Sequence, residues 1–161
     1  MTRKLSLTGS ALCLAALVLA TPGSGAAQDL ASARTFVEGL YGAYHGDGPD
    51  YVGRQAKRVF SPALLALIHR DKARTPRGDV GALDGDPICD CQDFEITKVI
   101  VTVEPAGAGR ATARAQFLNF GKPQTVRLDL VVGPGGWRVD DVHTPDTPSL
   151  ARFLRRHAGG R

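Results

Sequence analysis

At 161 residues the chain has room for one domain with a core of its own. Its 20 basic and 16 acidic residues leave a net charge of +4, half of it from two basic residues near the N-terminus, which is not the strong basic bias of a nucleic-acid-binding domain. The composition therefore argues against a nucleic-acid partner and gives no other function class an advantage.

The first stretch reads as a leader rather than as part of the domain. Arg3 and Lys4 precede an apolar run from Leu5 to Leu19, Thr21-Pro22-Gly23-Ser24 breaks it, and Gly25-Ala26-Ala27 offers small residues for cleavage. The run is shorter than the roughly 20 residues a membrane span needs. Cys13 follows Leu12 inside the apolar run, which is the wrong place for a lipid-modified cysteine. The expectation is a signal peptide over 1–27, a single α+β domain over 28–158 and a tail over 159–161. Removing the leader takes away two positive charges and no acid, leaving about 130 residues at +2 with no membrane span. Export implies a periplasmic or secreted protein in an oxidising compartment.

The next part carries helical spacing. Phe36, Val37, Leu40, Tyr41 and Tyr44 form one apolar stripe, with Asp29 and Ser32 as candidate N-caps. A second helix is expected from Asp50 to Phe60, and a third after Ser61-Pro62, where serine caps and proline suits the first helical position. Tyr41 and Tyr44 are candidates for a pocket wall, or else core aromatics with satisfied hydroxyls.

Beyond Cys91 the pattern becomes β. Phe94 to Glu104 is rich in β-branched residues, with a parity shift near Lys98 that suggests a bulge. Ala111, Ala113, Ala115 and Phe117 share one face of the next strand; small residues there would let a helix lie close. Val126, Leu128, Leu130 and Val132 alternate along a third strand, and Trp137 to Val142 makes a fourth. Glycine turns between them predict an antiparallel meander. Thr147-Pro148-Ser149 then caps a helix bearing Leu150, Phe153 and Leu154. The layout is α+β: N-terminal helices on a four-stranded antiparallel sheet, with a C-terminal helix.

Between the two halves lies G-A-L-D-G-D-P-I-C-D-C-Q-D-F-E, from Gly81 to Glu95. It contains Cys89 and Cys91, the cysteines that remain once the leader is gone. In an extended strand their Cα atoms would stand roughly 6.5–7 Å apart, the upper limit for a disulfide, so a turn at Asp90 is needed to join them. A local disulfide, free thiols, an intermolecular bond and a redox role all stay open. Asp84, Asp86 and Glu95 match three positions of an EF-hand loop, but Ile88 and Cys89 occupy positions that need a ligand and a glycine. Zinc on Cys89, Cys91 and His69 or His143 has only C-x-C spacing behind it. No metal or cofactor is therefore assigned, and no Rossmann, P-loop or nucleophile-elbow signature occurs.

Trp137, Val139, Asp141 and His143 share one parity in the last strand. If that face looks inward, Asp141 and His143 lie at the end of a pocket walled by Trp137, where burial could make Asp141 a general base. Asp93 is a second candidate acid.

The order of elements, closing on G-W-R-V-D-D-V, resembles the nuclear-transport-factor-2-like (cystatin-like) fold. That resemblance implies a curved sheet wrapped round the N-terminal helices as a cone with an apolar pocket. More narrowly, F-S-P-A-L-L-A-L-I-H-R-D (Phe60 to Asp71), L-D-G-D-P (Leu83 to Pro87), C-D-C-Q-D (Cys89 to Asp93) and W-R-V-D-D-V (Trp137 to Val142) resemble the exported bacterial domain-of-unknown-function 3828 family. The resemblance implies an envelope location and transfers no catalytic residue. The reading is a non-catalytic module that binds a small apolar ligand in the cone or an envelope protein on the sheet. A pocket enzyme of isomerase or hydrolase type using a buried aspartate, and a thiol or metal protein centred on Cys89-Asp90-Cys91, are the alternatives.

Overall fold

The computed structural model describes residues 24–157. The leader expected over 1–27 falls largely outside them, as does the tail at 159–161. The elements are α1 (Ser24–Gly42), α2 (Ala56–Val59), α3 (Pro62–Arg74), β1 (Ile96–Pro105), β2 (Arg110–Asn119), β3 (Lys122–Gly133), β4 (Gly136–His143) and α4 (Leu150–His157). The strands form one antiparallel sheet in the order β1-β2-β3-β4, the expected meander.

Alternation decides which face is covered. Ala111, Ala113, Ala115 and Phe117 on β2, Val126, Leu128 and Leu130 on β3, and Trp137, Val139 and Val142 on β4 are all buried. The opposite face carries Arg110, Arg114, Gln116 and Arg127 in solvent. Helix α1 crosses β1 and β2 above the alanines, where the absence of larger side chains permits close approach. Val37, Phe60, Leu64 and Leu154 complete the core, each contributing about 1.5–3 kcal/mol by leaving water. These side chains pack between the helices and the covered face of the sheet.

Two bulges set the strand faces. At the first, the β1–β2 register shifts between Thr97 and Ile100, and Lys98 takes φ +54°, as the parity change foretold. At the second, Asp129 pairs with Asp141 while Leu130 pairs with Val139, so Asp140 is the extra residue. The β2–β3 turn is Phe120-Gly121, both at positive φ (+47° and +72°), the signature of a type I′ hairpin. Pro123 follows inside β3, beyond the reach of β4, where a missing N–H breaks no β3–β4 bond.

Three helix boundaries have local causes. Ser61 caps α3 by accepting from the Leu64 amide at 3.2 Å, with Pro62 in the first turn, as read from sequence. The expected helix from Asp50 shrinks to Ala56–Val59, because the Asp50 carboxylate takes the Arg54 amide (2.9 Å) and the Gln55 side chain takes the Asp50 amide (3.0 Å), holding 51–55 as turns. Neither Asp29 nor Ser32 starts α1, which already runs from Ser24; the Ser32 hydroxyl instead donates to Asp29 O and accepts from Trp137 Nε1.

Asp71 ties the end of α3 to the central stretch. Its buried carboxylate accepts from the amides of Ala82 (3.1 Å) and Leu83 (3.0 Å). Asp71→Ala leaves both without that acceptor and is expected to cost about 1–3 kcal/mol in urea denaturation. A midpoint equal to wild type would show that the tie carries no stability.

Candidate functional site

The central stretch is built inward from its hydrogen bonds. The Asp86 amide donates to Cys91 O at 2.8 Å and the Cys91 amide returns to Asp86 O at 3.2 Å, an antiparallel bridge that closes a loop of four residues. Within it Asp90 takes φ +52°. That left-handed step, tolerated by aspartate, brings the Cys89 and Cys91 Cα atoms to 5.2 Å with their sulfurs in bonding contact. Gly85 is required where it is, because a Cβ there would stand 2.8 Å from Cys91 O.

Below the loop, the tyrosines hold it from the core. The Tyr41 hydroxyl donates to Ile88 O at 2.6 Å. The Tyr44 hydroxyl donates to Asp86 Oδ2 at 2.7 Å, while Asp86 Oδ1 accepts from the Ile88 amide at 2.8 Å. The rings pack on one another and on Phe117, Phe94 and Tyr51. Tyr41 and Tyr44 are thus core aromatics with satisfied hydroxyls, and they also anchor the loop. Burial pushes both phenols up, with the Asp86 carboxylate adding to the effect, so they stay protonated donors.

Above the loop lies a cleft of about 430 Å³ between residues 82–92 and the segment from Val142 to Phe153. Leu83, Val142, Leu150 and Phe153 give it apolar walls; Asp84, Asp86, Asp90 and the Cys91 edge give it an acidic floor. No lysine, arginine or histidine lines it. Burial raises the Asp86 carboxyl above the usual carboxylate range, against the bonds from Ile88 and Tyr44. Partial burial likewise raises Asp90, with Asp146 and Asp84 adding repulsion and Thr144 donating in the other direction.

The remaining candidates do not converge there. Trp137 lines a separate, broader hollow with Phe36, Leu40, Tyr51 and Val59. The Asp140 bulge reverses the parity of β4 after Val139, so Val142 faces the core and Asp141 and His143 turn to the other face. That breaks the parity shared by Trp137, Asp141 and His143, on which the inward-facing reading depended. Asp141 accepts from the amides of Val142 (2.9 Å) and Ala151 (2.8 Å) and from the Ser149 hydroxyl (2.6 Å), which makes it a brace for the start of α4. The His143 ring meets Asp129 and Pro148 O. Asp93 is exposed, and what it contributes is its carbonyl, which accepts from the buried Asn119 amide. Asp86 is inward and hydrogen-bonded, while Glu95 lies exposed at the start of the sheet, so the EF-hand-like spacing does not form a shared site. Asp90 figured in the sequence as the turn between the cysteines and not as an acid lining a cleft, where the structure places it.

These features define a class: an α+β meander domain with an acidic side cleft next to a C-x-C turn. No helix among the described residues is long and apolar enough to cross a membrane. No family model matches the chain, and no solved structure matches it. Over 113 residues it is 33% identical to the Escherichia coli (strain K12) "Uncharacterized protein YqhG", a match covering 66% of this chain and 36% of YqhG. The matched region thus spans little more than a third of that relative.

The raised Asp86 carboxyl predicts a pH effect. The folded protein holds this proton more tightly than the unfolded chain, whose value is near 3.8. Its contribution to stability is therefore greatest below that value and declines as pH rises through the folded value. Asp86→Asn keeps the volume and removes the titration. Urea midpoints from about pH 4 to neutrality should move in favour of the variant relative to wild type; parallel curves would contradict a buried titrating Asp86.

Proposed function

We propose that this chain is an exported, non-catalytic binding domain of the domain-of-unknown-function 3828 family, with a nuclear-transport-factor-2-like fold and a disulfide between Cys89 and Cys91. The leader composition supports export, and the local motifs together with the element order support the family and fold. The name of the relative YqhG carries no activity to transfer.

The observation that supports binding is the cleft itself. A volume of about 430 Å³ is in the range of small-molecule sites. Leu83, Leu150 and Phe153 give it an apolar side beside Gln92, Thr144 and Thr147, and its charged lining residues are carboxylates alone, so the ligand that fits is small, with an apolar part and a positive group. This reading places the expected ligand in the side cleft and gives it a charge. An enzyme built on Asp141 or Asp93 in the cleft finds less support: Asp141 lies on the outer face, bracing α4, and Asp93 is exposed away from the cleft.

A matched pair of probes tests the reading. Benzylamine and benzoate share a ring and differ in charge. Amide NMR titrations should show benzylamine shifting Leu83, Asp90, Cys91 and Phe153, and benzoate leaving them in place. Binding should weaken as pH falls and Asp90 takes up its proton, because a cation favours the ionised carboxylate. Equal shifts from both probes, or none from benzylamine, would overturn the assignment.

A further inference from the structure

The outer face of the sheet carries a cluster that the cleft does not use. The Asp140 bulge places Asp141 directly opposite Asp129 on the neighbouring strand. Like charges in direct cross-strand register destabilise a sheet unless a cation lies between them. His143 supplies part of the answer: its Nε2 stands 2.8 Å from Asp129 Oδ2 and 3.9 Å from Asp141 Oδ2. The orientation of that ring is fixed from behind, since Nδ1 lies 2.6 Å from Pro148 O. A carbonyl only accepts, so Nδ1 carries the hydrogen, and Nε2 is the nitrogen aimed between the two carboxylates.

We propose that Asp129, Asp141 and His143 form a binding site for a divalent transition-metal ion, with zinc the natural fit. One ligand atom from each lies within 4.8 Å of the others. With metal–ligand bonds of about 2.0–2.1 Å, the edge of a tetrahedron is about 3.3 Å. The two histidine edges, 2.8 and 3.9 Å, bracket that value, and the carboxylate–carboxylate edge is within 4.8 Å, so an ion would draw the two aspartates together around Nε2. An imidazole with carboxylates selects zinc, copper or nickel over magnesium and calcium.

The supporting contacts are those such a site needs. The histidine donates its other ring nitrogen to a carbonyl, which fixes the ligating nitrogen. Asp141 Oδ2 accepts from the Ser149 hydroxyl, and Oδ1 accepts from the Val142 and Ala151 amides. These donors, together with Arg127 at 3.9 Å from Asp129 Oδ1, temper the negative charge and set the affinity below that of a bare carboxylate pair. His143 and Asp141 are largely covered, with side chains 13% and 17% exposed, whereas Asp129 is 38% exposed. The fourth position therefore opens toward solvent on the Asp129 side. Because α4 begins at Leu150 on the donors that hold Asp141, an ion here also ties β3, β4 and the start of α4 together.

The test is calorimetric titration of the purified, tag-free protein, cysteines oxidised, with zinc chloride and separately with magnesium chloride. One zinc per chain should bind, and magnesium should not compete. His143→Gln and Asp129→Asn should each weaken zinc at least tenfold while circular dichroism shows an unchanged fold. The Cys89→Ser/Cys91→Ser double variant should bind as wild type does. Nitrogen-15 NMR of the histidine ring should show Nε2 of His143 shifting on zinc addition. Absence of zinc binding, binding that survives both ligand variants, or binding lost with the cysteine pair would each overturn the proposal. An unmoved His143 ring would do the same and leave the cluster as an ion pair.

Discussion

The Asp86 carboxylate is the point on which the two halves of the molecule depend. One oxygen is held by a phenol of the helical core and the other by the amide of Ile88, inside the loop that Asp86 itself opens. A buried carboxylate is costly unless its lone pairs are satisfied. Here satisfaction requires the segment that follows α1, through Tyr44, and the loop, through Ile88, to be in register with each other. Asp71 adds a second tie one turn of chain earlier, through Ala82 and Leu83. A stretch with few apolar side chains is thus positioned by carboxylates fixed in the core.

The sheet obeys a similar economy of local irregularity. Without the Lys98 and Asp140 bulges, strict alternation would carry charged and apolar side chains onto the wrong faces. The Asp140 bulge has two consequences: it keeps Val142 in the core, and it turns Asp141 outward, where it braces α4 and faces Asp129. One inserted residue thereby separates the acidic cleft from the Asp129, Asp141 and His143 cluster on the outer face.

Much of the fold was legible because its causes are local. Alternation in β2, the Ser61-Pro62 cap, the parity change at Lys98 and the four-strand meander can all be read from neighbouring residues. The features that escaped depend on distant partners. The Asp140 bulge is defined only by pairing with β3, so the face taken by Asp141 and His143 could not be read from the alternation of β4 alone. The shortening of α2 came from side-chain bonds at Asp50 and Gln55 that compete with the helix. The site was half legible: the 81–95 stretch stood out by composition, but its cleft needs Leu150 and Phe153 of α4 as the facing wall. Tyr41 and Tyr44 carried the right signal for burial and no signal for the loop they hold.

The central claim is that the 81–95 stretch is a fixed wall of the molecule, held from beneath, and so able to present a preformed cleft. Amide hydrogen exchange at Ala82, Leu83, Asp86, Ile88 and Cys91 measures that directly, since each of these N–H groups has a named acceptor. The account predicts protection approaching that of β2 and β3, with Asp84 exchanging faster at the rim. Exchange at all five as rapid as in the exposed Ala106–Gly109 turn would contradict it, because a loop that opens freely cannot hold the cleft.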